Sequence, residues 1–187
     1  DLAMWMIHAF EVRLPLQGAS DHLVSEAIYL ADPEGNGIEI YRDRARDEWP
    51  RRDGRIRMAT DPLDLRALAA DAARPWTGAP DGTVVGHVHL QVGDVSAAED
   101  FYSGTLGFDI VTHYPGAAFY SSGGYHHHLA TNVWNSRGAG QRSRGAAGLA
   151  GVELLADAAN HDRLAGVLAA QGADPWGTLF TVSRKEA

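Results

Sequence analysis

The stretch Ser25 to Tyr41, SEAIYLADPEGNGIEIY, leaves little choice of local structure. Two short runs, Ala27 to Ala31 and Gly37 to Tyr41, flank an Asp-Pro-Glu-Gly-Asn segment in which Pro33 sets φ and Gly35 can take a positive φ. The pattern predicts a β-hairpin. Alternation along its second strand puts Ile38 and Ile40 on one face and Glu39 with Tyr41 on the other. Glu39 is therefore either a solvated strand residue or a carboxylate aimed into a cleft. The hairpin also has an echo: Asp174 to Val182, DPWGTLFTV, repeats the Asp-Pro-x-Gly turn and the apolar strand after it, as a duplicated structural unit would.

Around these turns the chain reads in order. MWMIHAFEVRLPL, near the start, is apolar enough for a strand or the end of a helix. A helix remnant is the better reading because Gly18 follows almost at once, and His8 is then a packed residue. Asp43 to Arg57 is highly charged and broken by Pro50 and Gly54, as a surface connection would be. Asp61-Pro62 offers an N-cap and a first-turn proline for a helix on which Leu65, Leu68, Ala69 and Ala72 share one face until Arg74-Pro75.

From Thr83 a complete module is legible. Val84 to Val92 reads as a strand and Ser96 to Leu106 as a helix, with a Ser96/Glu99 capping box and Gly107 at its end. Phe108 to His113, Ala117 to Ser121 and Tyr125 to Trp134 read as three further strands. Asn135 to Gly148 is rich in Gly, Ser and Arg and is expected to be mobile. A strand over Leu149 to Leu155 and a helix over Asn160 to Gln171 then begin another module, but Gln171-Gly172-Ala173 runs straight into DPWG, leaving no room for its middle strands.

Composition narrows the chemistry. With 24 acidic against 16 basic residues the formal charge is −8, which gives no electrostatic reason to expect nucleic acid or an anionic membrane as partner. There is no cysteine, so thiolate catalysis, disulfides and cysteine-held metals are excluded, and any metal must be held by His, Asp or Glu. No secretory leader pattern or membrane-length apolar run is visible, so a cytoplasmic location is expected; a start at Asp1 also suits a processed or truncated chain. Along Val84 to Val92, alternation sets His87, His89 and Gln91 on one face, a pattern that suits metal or substrate binding as well as packing. YHHHLATNVW, read as a strand, puts His126, His128 and Asn132 on one face and His127 on the other.

Taken together, the Asp-Pro-x-Gly hairpins, GHVHLQV and YHHH resemble the vicinal oxygen chelate superfamily of glyoxalases, bleomycin-resistance proteins and extradiol dioxygenases, and within it the catechol 2,3-dioxygenase-like branch. The resemblance implies an α+β fold of paired βαβββ modules forming curved mixed sheets around a cleft, incomplete at both ends. Residues 1–42 would be the C-terminal part of a first glyoxalase-like domain, 43–82 a linker with a bridging helix, and 83–187 a second domain with its last module shortened. It implies Fe(II), with Mn(II) or Zn(II) as alternatives, held by Glu39, His87 and a histidine such as His126. His22, Tyr29 and His89 would orient substrate and move protons. The implied partners are dioxygen and a small aromatic or other vicinal-oxygen substrate, in a homo-oligomer.

Departures from the family pattern keep other readings open. Ala150-Gly151 stands where a ligand histidine is expected, and Thr181 stands where Glu39 stands in the earlier repeat. The expected activity is metal-dependent ring cleavage beside a catechol-type vicinal diol. The alternatives are a glyoxalase-type metal isomerase, a metal-free sequestering protein, or an inactive fragment.

Overall fold

Leu2, Ala3, Met6 and Ala9 recur at helical spacing and are all buried, and the first element is accordingly a helix, α1 (Leu2–Glu11). It stops where Arg13 turns left-handed, at φ 55°, ahead of Pro15. Strands β1 (Leu16–Asp21), β2 (Ser25–Ala31) and β3 (Gly37–Asp43) then run as an antiparallel meander that contains the expected hairpin. The charged connection after it forms a small hairpin, β4 (Arg51–Arg52) and β5 (Arg55–Ile56), and buries Trp49 and Ile56.

Asp61-Pro62 does not start a helix. It forms β6 (Asp61–Pro62), the edge strand of a sheet ordered β3-β2-β1-β6, where proline's missing N–H is tolerated. The cap lies three residues on: the Asp64 carboxylate accepts from the backbone N–H of Arg66 and Ala67 and opens α2 (Leu65–Ala70). Leu68 of α2 packs with Leu2, Ala3, Met6 and Ile28.

The computed structural model describes residues 1–143 and 145–185, in two units, Asp1–Val85 and Gly86–Ala187. In the second unit β7 (Val88–Gln91) is shorter than its apolar run, with Val84 and Val85 exposed. Helix α3 (Val95–Glu99) is capped by Asp94, whose carboxylate accepts from Ala97 N at 2.8 Å. The expected Ser96/Glu99 box is absent because Asp94 already satisfies the free N–H, and Glu99 instead meets His113 Nε2 at 2.9 Å. The helix continues as a π-helical turn over Asp100–Thr105 that buries Phe101 and Tyr102, and Gly107 follows at φ 81°.

Strands β8 (Asp109–Tyr114), β9 (Ala117–Ser121) and β10 (Leu129–Asn132) complete a βαβββ module ordered β7-β10-β9-β8, in which first and last strands pair in parallel. Strand β10 covers less than half of the run expected to be extended. The residues before it instead belong to a loop that starts at Gly123 and Gly124, both at positive φ.

After it come β11 (Gly151–Ala156), α4 (Ala158–Gln171) and β12 (Leu179–Arg184), with β12 parallel to β11. The shortened module thus keeps the first-to-last pairing of the complete one without the strands between. Leu164 and Leu168 of α4 and Phe180 of β12 join Leu90, Phe101, Tyr102, Tyr120 and Leu129 in one core. The fold class is α+β with mixed sheets, as expected. In the Gly-rich segment Gly138 N donates to Gly93 O, and Arg142 N to Trp176 O. Arg144, part of the stretch expected to be mobile, lies outside the described residues.

The echo is a true repeat. Asp32 Oδ1 accepts from Glu34 N and Asn36 N, and Asp174 Oδ1 accepts from Trp176 N and Thr178 N. Gly35 N donates to Asp32 O and Gly177 N to Asp174 O, with the glycines at φ 89° and 90°. The surroundings differ: Asp32 is near the surface, whereas Asp174 is buried and also accepts from Tyr102 OH at 2.6 Å.

Candidate metal centre

Parallel pairing of β7 with β10, Val88 opposite Leu129 and His89 opposite Ala130, brings the residues at the start of both strands side by side. Val88 N donates to His128 O, which ties the loop before β10 to β7. As a result His87, His89 and His127 each present a ring nitrogen within 4.8 Å of the others. His89 Nε2 and His127 Nε2 are 3.0 Å apart, and the His87 and His127 ring centroids 4.3 Å. Phe119 of β9 meets both His89 and His127 edge-on.

This donor set fits a metal. Two nitrogens each ~2.1 Å from one ion at ordinary coordination angles lie roughly 3.0–3.4 Å apart, which the closest pair matches. Three imidazoles suit Zn, Fe, Cu or Ni better than Mg or Ca. His127 is buried and His89 exposed, so the group lies at the boundary of the core.

Of the residues singled out in the sequence, His87 and His89 are brought together, with His127 as their companion. His126 is fully buried; its Nδ1 lies 2.8 Å from Nδ1 of His127. His128 turns toward β9, with Nδ1 near Ser121 Oγ and Ser122 N. Strand alternation puts His127 on the opposite face, but the residues before β10 form a loop, where alternation does not hold. Alternation is uninformative even inside β10, where Leu129, Ala130, Thr131 and Asn132 are all buried. No local signal separates these histidines; parallel register with β7 does.

Within the first unit a second group forms around Tyr29, the cross-strand partner of Glu39. The Tyr29 hydroxyl hydrogen-bonds with His22 Nε2, and His22 Nδ1 lies 2.6 Å from the Ala59 carbonyl oxygen. A carbonyl only accepts, so Nδ1 of His22 carries a hydrogen, and the Tyr29 hydroxyl is shared between His22 Nε2 and the Glu39 carboxylate. Burial, and then the adjacent Glu39 carboxylate, push the Tyr29 phenol above its ordinary range, so it remains a neutral donor. Leu23, beside His22, is held at φ 69° with its N–H bonded to Asp21 Oδ1 at 2.7 Å, an uncommon conformation for a non-glycine residue.

A βαβββ module with imidazoles gathered where its first and last strands begin defines a glyoxalase-type α+β protein with a candidate metal centre. The profile of the Glyoxalase/Bleomycin resistance protein/Dioxygenase superfamily matches residues 84–182, just over half of the chain, and the chain belongs to that superfamily. It is 48% identical over 136 residues to "Catechol-2,3-dioxygenase" of Bacillus subtilis (strain 168), covering 71% of this chain and 48% of that protein. The chain thus spans about half the length of this relative. Among solved structures, 2,2',3-trihydroxybiphenyl 1,2-dioxygenase from Sphingomonas wittichii strain RW1 is similar over 99% of this chain and 68% of its own (TM-score 0.37, 14% identity). A glyoxalase/dioxygenase from Nostoc punctiforme is similar over 62% of this chain and 100% of its own (TM-score 0.44, 13% identity). Among the described residues no helix is long and apolar enough to cross a membrane.

Proposed function

We propose that this chain carries the metal-binding part of an extradiol ring-cleaving dioxygenase acting on a catechol-type vicinal diol, with Fe(II) held by His87, His89 and His127. The observation that carries the reading is the convergence of these three imidazoles within 4.8 Å in the module that matches the superfamily. The name of the Bacillus subtilis relative supports the reaction class. Ring cleavage of this type breaks the carbon–carbon bond beside the diol and puts both atoms of O₂ into the product, so it consumes no external reductant. A bound Fe(II) supplies the Lewis acidity and redox capacity that the side chains lack.

The chain's own residues do the rest. Three imidazole ligands would bring no charge of their own, so a bound cation would keep its charge and favour an anionic oxygen donor such as a deprotonated diol. Phe119 gives the group an aromatic wall. In the first unit, Tyr29 is a neutral hydroxyl held between His22 and Glu39, and His22 Nδ1–H is held by the Ala59 carbonyl. The resemblance assigns His22, Tyr29 and His89 the work of orienting substrate and moving protons, and replacing each singly while following oxygen uptake tests it.

The ligand set implied by the resemblance, Glu39, His87 and His126, is the second reading. Anaerobic Fe(II) or Co(II) titration of His127→Ala and Glu39→Gln separates the two. Loss of binding in His127→Ala with binding kept in Glu39→Gln supports the three-histidine set, and the reverse overturns it. Oxygen uptake matched mole for mole by catechol consumption tests the activity; isomerisation of a thiohemiacetal without oxygen uptake would assign the glyoxalase alternative instead. The homo-oligomer expected from the sequence is proposed with this reading. Sedimentation measures it.

A further inference from the structure

His127 uses both of its ring nitrogens within a cluster of histidines. Its Nε2 lies 3.0 Å from His89 Nε2 and its Nδ1 lies 2.8 Å from His126 Nδ1. A neutral imidazole has one donor and one acceptor nitrogen, so these contacts are not independent. If Nε2 is to offer a lone pair to a cation, the hydrogen must sit on Nδ1, and Nδ1 then needs an acceptor. Nδ1 of His126 is the ring nitrogen that faces it.

His126 is built to stay in that position. It is fully buried, and Tyr125 lies against its ring at a centroid separation of 4.1 Å and a 31° tilt. Tyr125 is backed in turn by His128, at 4.9 Å between centroids. Consecutive side chains on a strand point to opposite faces; here the loop before β10 lets two neighbouring histidines face each other.

We infer that His126 is a positioning residue whose Nδ1 accepts the Nδ1–H of His127, locking His127 in the tautomer that presents Nε2 to a metal ion. His126 then acts on the centre through another side chain rather than as a ligand, as carboxylates and carbonyls commonly do behind metal-bound histidines. The inference rests on His127 being a ligand, as proposed above, but its test can be read without metal.

Two variants separate positioning from packing. His126→Leu removes the acceptor, whereas His126→Asn keeps one, because Asn Oδ1 occupies nearly the same place as His Nδ1. The first readout is the ¹⁵N–¹H spectrum of histidine-labelled, metal-free protein at about pH 8, above the ordinary imidazole range. His127 is expected as the Nδ1–H tautomer in the parent and His126→Asn, and as the commoner Nε2–H tautomer in His126→Leu. The second is Co(II) affinity by competition with a chromophoric chelator. It is expected to fall about 10- to 100-fold in His126→Leu, and to recover to within a few-fold of the parent in His126→Asn.

An Nε2–H tautomer in the parent, unchanged affinity in His126→Leu, or an Asn variant as weak as the Leu variant would each overturn the role. A parent that binds no metal but shows the tautomer switch would sink the proposed function and leave the positioning contact standing.

Discussion

Asp32 and Asp174 make the same turn in different surroundings, and their replacement by alanine should separate the worth of the turn from the worth of its burial. Asp174 is 4% exposed; its carboxylate accepts two backbone N–H bonds, at 3.0 and 2.7 Å, and the Tyr102 hydroxyl at 2.6 Å. Asp174→Ala strands two N–H groups and a fully buried phenol. Hydrogen bonds to a charged partner are worth ~1.5–3 kcal/mol each, and bonds sharing one acceptor do not add, so a loss of about 3–5 kcal/mol is expected. Tyr102→Phe removes only one of these bonds and should cost about 1.5–3 kcal/mol. The double variant Tyr102→Phe/Asp174→Ala should cost less than the two single losses together. Asp32→Ala, where water replaces the lost acceptor, should cost less than either single change. Urea unfolding followed by far-UV circular dichroism measures these differences. A loss under about 1 kcal/mol for Asp174→Ala, or a larger loss for Asp32→Ala, would refute the reasoning.

A β-carbon added at Gly93 would lie 2.0 Å from the Ala139 carbonyl oxygen and 2.8 Å from Trp176 Nε1, so Gly93→Ala must move backbone. A destabilisation of about 1–3 kcal/mol in urea is expected, and an unchanged midpoint would show that the Gly138 segment yields freely. The Arg44 guanidinium, bonded to both oxygens of Asp21, holds that carboxyl below the usual aspartate range. A carboxyl depressed in the folded state contributes stability that is present above its unfolded value, near ~4, and lost as pH falls through the lower folded value. Urea stability measured between about pH 5 and about pH 3 should therefore fall less steeply in Asp21→Asn, and an unchanged acid slope would contradict the pairing. Zn(II) at about 100 times its dissociation constant should stabilise the parent by ~2.7 kcal/mol, an effect removed by chelator and absent from His89→Ala. A similar gain in that variant would place the ion elsewhere.

Most element types were legible because they rest on local chemistry. Turns with Asp-Pro-x-Gly, the apolar spacing of Leu65, Leu68 and Ala69, and the left-handed Gly107 after the π-helical turn each act within a few residues. Helix starts were displaced where several candidates stood close together. Asp64 and Asp94 won over Asp61 and Ser96 because the chosen aspartates sit where their carboxylates reach free N–H groups, and that depends on where the preceding strand ends.

The site divides the same way. Its inventory follows from sequence alone: a cysteine-free chain must hold a metal through imidazole or carboxylate, and GHVHLQV with YHHH supplies the imidazoles. The hairpin that carries Tyr29 and Glu39 also follows, and the structure adds its register, with the two residues directly opposite. Which of three consecutive histidines meets His87 and His89 does not follow. His126, His127 and His128 are chemically identical and adjacent, and choosing among them requires the parallel register of two strands some forty residues apart and the loop ahead of β10. Sequence determines which groups are available and what each can do. The tertiary structure decides which of them meet, because parallel pairing and burial on both faces of β10 are properties of distant segments that no local pattern encodes.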